Sequence, residues 1–404
     1  MATMVVMATA TVGFIGFIIG NGLGLVWSVQ FWLVWLAYAA VRRVYAKAAF
    51  GSLLPWLFPA WALLSMIWSR EPVTSGRNAI ELMLTTGVAV MIPFVLTARG
   101  ILISFFLALL VSFVVGLAFG HTEIVYVGNV EASQGIFGSK NSFAMLASML
   151  SFSAMALLFA RGVPRWLRAA AIVALAVAAY GLLQAHSVGA TVGAAAGCGI
   201  LLLVRLLQAL PGPARGAIGM GGLAAFGIVV PLLLIFSDQH LLDSALAMVG
   251  KSPTLTGRTY LWARAQETID QHGWLGVGYQ AYWRQGQIDA EGLWRYLMIS
   301  SRSGVTMHNL YYQTMIETGA IGTLILGGSL IATILASAFS AIVRPDPMGP
   351  FGVAVSLFFA SRIFLETEFL APFLMGTMML PLIWSHSWSN IKAWSGMVTV
   401  HPPT

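Results

Sequence analysis

The sequence predicts an all-α polytopic membrane protein. It reads as one integral membrane domain over residues 1–404, crossed by about twelve transmembrane helices, with one large loop over residues 237–309 that carries short helices. Three observations predict this. Hydrophobic residues make up 58% of the chain and charged residues only 9%, with a mean hydropathy of +0.84, whereas a soluble protein carries about a quarter charged residues. Apolar runs of about twenty residues, the length that crosses a bilayer, recur along the chain. Most Lys and Arg residues of the short gaps follow the even-numbered runs, the bias that sets orientation in a membrane.

The runs centre near Phe14, Leu36, Trp61, Val88, Leu107, Ser151, Leu175, Ala195, Gly227, Ile331, Ser356 and Met378. Val5 to Ile19 reads as a retained first helix, because it lacks the basic stretch, short apolar core and cleavage site of a signal peptide. Arg42, Arg43 and Lys47 follow the second run, Arg99 the fourth, and Arg161, Arg165 and Arg168 the sixth. Arg205 and Arg215 bracket the end of the eighth, Arg344 follows the tenth and Lys392 the twelfth. One orientation fits them all: both termini cytoplasmic, and residues 237–309, between the ninth and tenth spans, outside. In a bacterium that is the periplasmic face of the inner membrane. Cys198 is the sole cysteine and lies in an apolar run, so no disulfide framework exists. The net charge of +7 has no soluble basic face to hold nucleic acid.

The outward-facing cations are informative because short external loops are poor in them. They are Arg70, Arg77, Lys140, Arg362 and six in the long loop: Lys251, Arg258, Arg264, Arg284, Arg295 and Arg302. They suit either an anionic substrate or anionic headgroups. Within the loop, Thr256 is an N-cap candidate for a helix reaching about Gln271, with an apolar stripe of Leu261, Trp262, Ala265 and Ile269. Arg258 then sits in the first turn, where a cation opposes the helix dipole unless an anion binds there; otherwise it is a solvated surface residue. Gly273 to Tyr279 is Gly-rich but lacks the context of a phosphate-binding loop, and reads as a turn. Tyr282, Trp283, Trp294 and Tyr296 are either platforms for sugar rings or interfacial aromatics.

His308 is expected in the first turn of the tenth span, where the positive helix end favours a neutral imidazole able to accept a proton; the alternative is an interfacial His bonded to backbone. Glu317 either orients a neighbour or caps the span. Lys140 opens the sixth span, His186 and Ser187 line the outer edge, and Arg362, Glu366 and Glu368 suggest a structural ion pair. No metal-ligand spacing is present, and no cofactor is expected.

Five stretches in order resemble the O-antigen ligase and Wzy polymerase superfamily, most closely its ExoQ-like exopolysaccharide polymerases. They are Ser65 to Pro72 (SMIWSREP), Gly135 to Asn141 (GIFGSKN), Leu255 to Trp262 (LTGRTYLW), Gly273 to Trp283 (GWLGVGYQAYW) and His308 to Gly322 (HNLYYQTMIETGAIG). The resemblance implies a GT-C-like polytopic glycosyltransferase; direct displacement would make it inverting, and cations meeting the leaving charge would make it metal-independent. Its donor would be an undecaprenyl-diphosphate-linked glycan, its acceptor a glycan or lipid core, and its surroundings membrane lipid and polysaccharide export or flippase machinery. It places the catalytic roles on His308 and Arg258 and diphosphate contacts on Lys140 and Asn141. Ligase-type members carry a Ser-Arg step where this chain has Ser187-Val188-Gly189-Ala190, so Lys140, Arg302 or Arg284 would replace that second basic contact. This favours polymerisation of repeat units over ligation of finished O-antigen to lipid A–core or protein. A lipid-linked glycan transporter is the third reading. It would need ionisable residues at mid-span, of which the sequence shows only Glu81 in the outer half of the fourth span.

Overall fold

A computed structural model describes residues 2–19, 26, 30, 33, 51–125, 130–236 and 258–396. Its helices are α1 (Ala2–Ile19), α2 (Leu54–Leu64, extended by a 3-10 turn, Ser65–Ile67), α3 (Pro72–Val95), α4 (Ala98–Phe119), α5 (Lys140–Phe159), α6 (Arg165–Gln184), α7 (Val188–Ala209) and α8 (Gly212–Phe236). Then follow α9 (Arg258–His272), α10 (Ile288–Tyr296), α11 (Leu310–Val343), α12 (Met348–Arg362) and α13 (Met375–Trp394). Every predicted span centre falls in one of these, except Leu36, which lies outside the described residues. Among the described residues six helices, α3 to α7 and α11, are long and apolar enough to cross a membrane, so this is a membrane protein.

The helix starts follow local chemistry. Pro72 opens α3 where its missing N–H costs nothing. Thr97 caps α4 by accepting from Gly100 N at 3.2 Å, and Ser139 caps α5 by accepting from Ser142 N at 3.1 Å. α5 is an inner helix, packed by α4, α6, α7 and α12, while α11 lies against α2, α12 and α13. Small residues permit the close approaches that hold helices together in lipid. Gly197 of α7 passes so near Phe152 of α5 that an added Cβ would lie 2.4 Å from the ring.

Contacts sort the loops into two ends. At one end Asn141, Ser187 and Glu366 meet through side-chain hydrogen bonds. At the other, Gln208 donates to the carbonyls of Ala341 and Asp346, Arg215 to Ile342 O, and Arg99 to Gly162 O.

The fold is helical as expected, with one short addition. β1 (His121–Val125) and β2 (Val130–Gly135) form an antiparallel hairpin between α4 and α5. Thr122, Ile124, Val125 and Val130 are β-branched and suit a pleated ribbon, a signal too short to stand out beside the long apolar runs. The hairpin delivers the chain to the Lys140-Asn141 start of α5.

The polar segment 258–309 is fixed to the bundle by a break in α11. Gly319 has φ 68° and ψ −172° inside that helix, a conformation open essentially to glycine alone. A break frees backbone groups, and an unsatisfied one at membrane depth costs several kcal/mol. Here the loop satisfies them. Val277 N donates to Ile316 O at 2.8 Å, Gly278 N to Glu317 O at 3.0 Å, and Ala320 N to Gly273 O at 2.8 Å. Trp61 Nε1 of α2 donates to Thr318 O at 2.9 Å. The predicted turn Gly273 to Tyr279 is thus a plug seated in the broken helix. Gly319→Ala adds about 1–3 kcal/mol of backbone strain, with a Cβ 2.2 Å from the Trp274 carbonyl oxygen. Its expected result is a clear drop in the thermal unfolding midpoint of detergent-purified protein. Gly328→Ala, with open space around it, is expected to leave the midpoint unchanged; equal midpoints would show that the break imposes no constraint.

Candidate active site

Asn309 starts α11, its side chain accepting from Tyr311 N at 3.0 Å and Tyr312 N at 3.4 Å. His308 therefore precedes the N-cap and is not in the first turn. This corrects the dipole expectation, because the free N–H groups of the helix are already taken by Asn309. His308 adopts φ 47°, a left-handed backbone that His tolerates better than most side chains. Its neighbours are pinned. Met307 N donates to Gln313 Oε1 at 2.9 Å, and Met307 O accepts from Trp262 Nε1 at 2.8 Å. Leu310 N donates to Ile363 O at 2.6 Å, joining this start to the turn between α12 and α13.

That turn carries Glu366. Its Oε2 lies 3.5 Å from His308 Nδ1, an electrostatic contact rather than an aligned hydrogen bond. Its Oε1 accepts from Asn141 Nδ2 at 2.7 Å, and Asn141 Oδ1 in turn accepts from Ser187 Oγ at 3.3 Å. Burial opposes the Glu366 charge, but the facing His308 ring, with Arg362 and Arg258 beyond, outweighs it and holds the carboxyl below its usual range. The expected ion pair at this turn is Arg362 with Glu368, at 2.7 Å. Glu366 was grouped with that pair in the sequence, and the structure turns it to His308 instead. α12 ends at Arg362, so helical spacing no longer decides which carboxylate Arg362 meets.

Arg258 approaches the same turn from α9. The stripe of Leu261, Ala265 and Ile269 is buried, and Trp262 stacks on Tyr312 of α11 at 5.6 Å, so α9 rests on the start of α11. The proposed cap Thr256 lies outside the described residues. Arg258 Nη1 donates to Leu365 O at 3.4 Å, and among the described residues the guanidinium forms no ion pair. Burial pulls it below its ordinary value, with Glu366 acting the other way. It is a partly buried cation short of a counter-charge, which a phosphate oxygen would supply.

A cavity of ≈ 930 Å³ opens beside these groups, lined among others by His308, Glu366, Glu317, Trp283, Arg284 and Arg302. Ser139 and Ser142 line it from the start of α5, but Lys140 does not, and Lys140 has no polar partner among the described residues. Arg284 Nε is bonded to Gln280 O at 3.0 Å. Arg302 is paired with Glu291 at the rim, so part of its charge is already met. The structure thus gathers His308, Arg258 and Asn141 around Glu366 and leaves Arg284 and Arg302 as lining residues. Of the four aromatics, Trp283 and Trp294 line the cavity; Tyr282 is buried elsewhere, and Tyr296 stacks on Tyr260 at 4.1 Å.

Glu317 orients its neighbours rather than capping the span. It is 1% exposed inside α11, accepting from Gln313 Nε2 at 2.7 Å and from Gln280 N at 3.0 Å. Gln313 Oε1 takes Met307 N and Trp283 Nε1, so a relay runs from the broken helix to the residue before His308. Among the described residues no three His, Cys, Asp or Glu side chains gather as metal ligands.

Glu366→Gln keeps the shape and removes the charge. A carboxyl held below its unfolded value contributes stability above that value and loses it as pH falls through the folded one. The variant is expected to unfold at a lower temperature than wild type at neutral pH, with the gap closing as pH drops below 4.5. A gap that does not vary with pH would show that the charge contributes nothing.

Two likenesses bear on this geometry. A family described as O-antigen ligase matches residues 173–327, a stretch holding Arg258, His308 and Gly319. The exopolysaccharide production protein ExoQ of Rhizobium meliloti (strain 1021) is 32% identical over 357 residues, covering 86% of this chain and 80% of that protein. The chain therefore belongs to the O-antigen ligase and Wzy polymerase superfamily, on its ExoQ-like side.

Proposed function

We propose that this protein is an inverting membrane glycosyltransferase. It takes an undecaprenyl-diphosphate-linked oligosaccharide as donor and polymerises repeat units of an exopolysaccharide or O-antigen at the periplasmic face of the inner membrane. One observation carries the reading: His308 and Arg258, remote in sequence, both reach the Leu365-Glu366 turn, where His308 and Glu366 line a cavity of ligand size. The likeness to an exopolysaccharide production protein supports exopolysaccharide as the product. The Lys and Arg pattern supports a periplasmic position for this end and a cytoplasmic one for the other.

In this mechanism Glu366 faces Nδ1 of His308 and selects the tautomer whose Nε2 is free. Nε2 takes the proton of an acceptor sugar hydroxyl as that oxygen bonds to the anomeric carbon of the donor. The anomeric C–O bond to phosphate breaks, and its electron pair leaves on undecaprenyl diphosphate. Direct displacement inverts the anomeric centre. Arg258 meets the growing charge, at about 1.5–3 kcal/mol per charge-assisted hydrogen bond. Lys140, Arg284 and Arg302 extend the same field, and Asn141 holds Glu366 in place. The cations supply the charge, so no metal ion is required. Trp283 and Trp294 offer ring faces to the sugars.

A second reading, ligation of a finished glycan to lipid A–core or protein, has the description of the matching family in its favour. Donor chemistry is the same and only the acceptor differs.

Arg258→Ala and His308→Ala are each expected to cut chain extension by about 10²–10³-fold, at unchanged protein level, when purified protein is given a lipid-diphosphate oligosaccharide. Chelator is expected to leave the wild-type rate unchanged. Wild-type rates from either variant remove that residue from the mechanism. In a deletion strain, accumulated single repeats fit the polymerase, and long lipid-linked chains fit the ligase.

A further inference from the structure

At the end of the bundle opposite the candidate active site, four arginines from four segments line one cavity of ≈ 470 Å³. Arg99 comes from the first turn of α4, Arg161 from the turn after α5, Arg205 from the last turns of α7 and Arg215 from the first turn of α8. The positive-inside bias accounts for arginines at this end. It does not account for their convergence on one concavity.

Their charge is unmatched. Arg99 donates to Gly162 O at 3.3 Å, Arg205 to Gln208 Oε1 at 3.4 Å, and Arg215 to Ile342 O at 2.6 Å and Leu210 O at 3.5 Å. All of these acceptors are neutral. Arg161 has no polar partner among the described residues, and none of the four forms an ion pair there. Among the described residues the one carboxylate lining the cavity, Asp346, is already occupied. It accepts from Gly349 N at 2.8 Å and Asn390 Nδ2 at 2.7 Å, and lies 2.8 Å from His386 Nε2. Guanidinium forks directed at one space match phosphate oxygens.

The surroundings point to a lipid as the source of that phosphate. The turns of α7 that carry Arg205 also present Leu202, Leu203 and Leu206 outward, and α8 presents Ile218 just after Arg215. Apolar surface therefore runs directly away from the cationic cavity. This is the arrangement of a headgroup pocket between spans, with acyl chains lying on the helices below.

We infer that this cavity binds the phosphate of an acidic phospholipid in the leaflet at that end, with Arg99, Arg161, Arg205 and Arg215 as its contacts. The site is separate from the candidate active site and depends only on the membrane fold.

The test is native mass spectrometry of the full-length protein in mild detergent, titrated with phosphatidylglycerol or phosphatidylcholine. Arg161→Gln, which removes no internal contact, is expected to weaken the phosphatidylglycerol adduct about fivefold, and Arg99→Gln/Arg161→Gln about 25-fold. Arg165→Gln/Arg344→Gln removes the same charge at the same end but outside the cavity, and is expected to leave the adduct unchanged. Phosphatidylcholine is expected to bind no more than in the double cavity variant, and excess inorganic phosphate to leave the lipid adduct in place. Equal weakening in the control pair, no weakening in the cavity variants, or equal binding of phosphatidylcholine would overturn the site. Displacement by inorganic phosphate would overturn the lipid as its ligand.

Discussion

The exchange of hydrogen bonds at Gly319 is the constraint on which the functional end depends. A buried helix cannot be interrupted cheaply, because its packed surroundings offer no spare partner for a freed N–H or carbonyl. The chain answers the interruption with its own loop, so the turn at Gly273 to Tyr279 can sit in one place only. Tyr279 extends the anchorage. Its N–H reaches Ser65, its carbonyl takes Ser75, and its hydroxyl reaches Leu370 on the turn that carries Glu366. One interlock therefore joins the loop, the broken helix and the turn between α12 and α13.

The polar groups above that interlock carry unequal charge balances. Glu366 is surrounded by an imidazole, an amide and two guanidiniums, and they keep it ionised although it is buried. Arg258 has the opposite balance, a desolvated cation held, among the described residues, by one long contact to a carbonyl. In a site fixed by hydrogen bonds before substrate arrives, little reorganisation remains for the reaction itself. Glu317 and Gln313 serve the same end from below, because they orient the backbone of Met307 and hence the approach of His308.

The membrane class was legible in composition, and the helices in the length of their apolar runs. The α9 helix was legible as well: its stripe of Leu261, Ala265 and Ile269 gave both its extent and its buried face. Hidden features were those decided by dihedral angles or distant partners. Gly319 sits in an apolar run and looks like any span glycine, since nothing local announces a positive φ there. Glu366 was legible only as a neighbour of Arg362. Its partners, His308 and Asn141, lie far away in the chain, and only folding chooses between two nearby carboxylates. His308 came from the resemblance; its place before the cap came from Asn309, which claims the backbone donors first.

α11 is 34 residues long, about 51 Å at ~1.5 Å per residue, against a hydrocarbon slab of ~30 Å. The part beyond Gly319 is about 36 Å by the same measure and fills that slab alone. The part before it, about 15 Å by the same measure, is surplus to the slab. A lipid-borne donor of the kind proposed above would reach such a surplus by sliding in two dimensions, without leaving its sheet. Encounter rates would then scale with molecules per unit area of bilayer rather than per unit volume, and crowding of the sheet would throttle them.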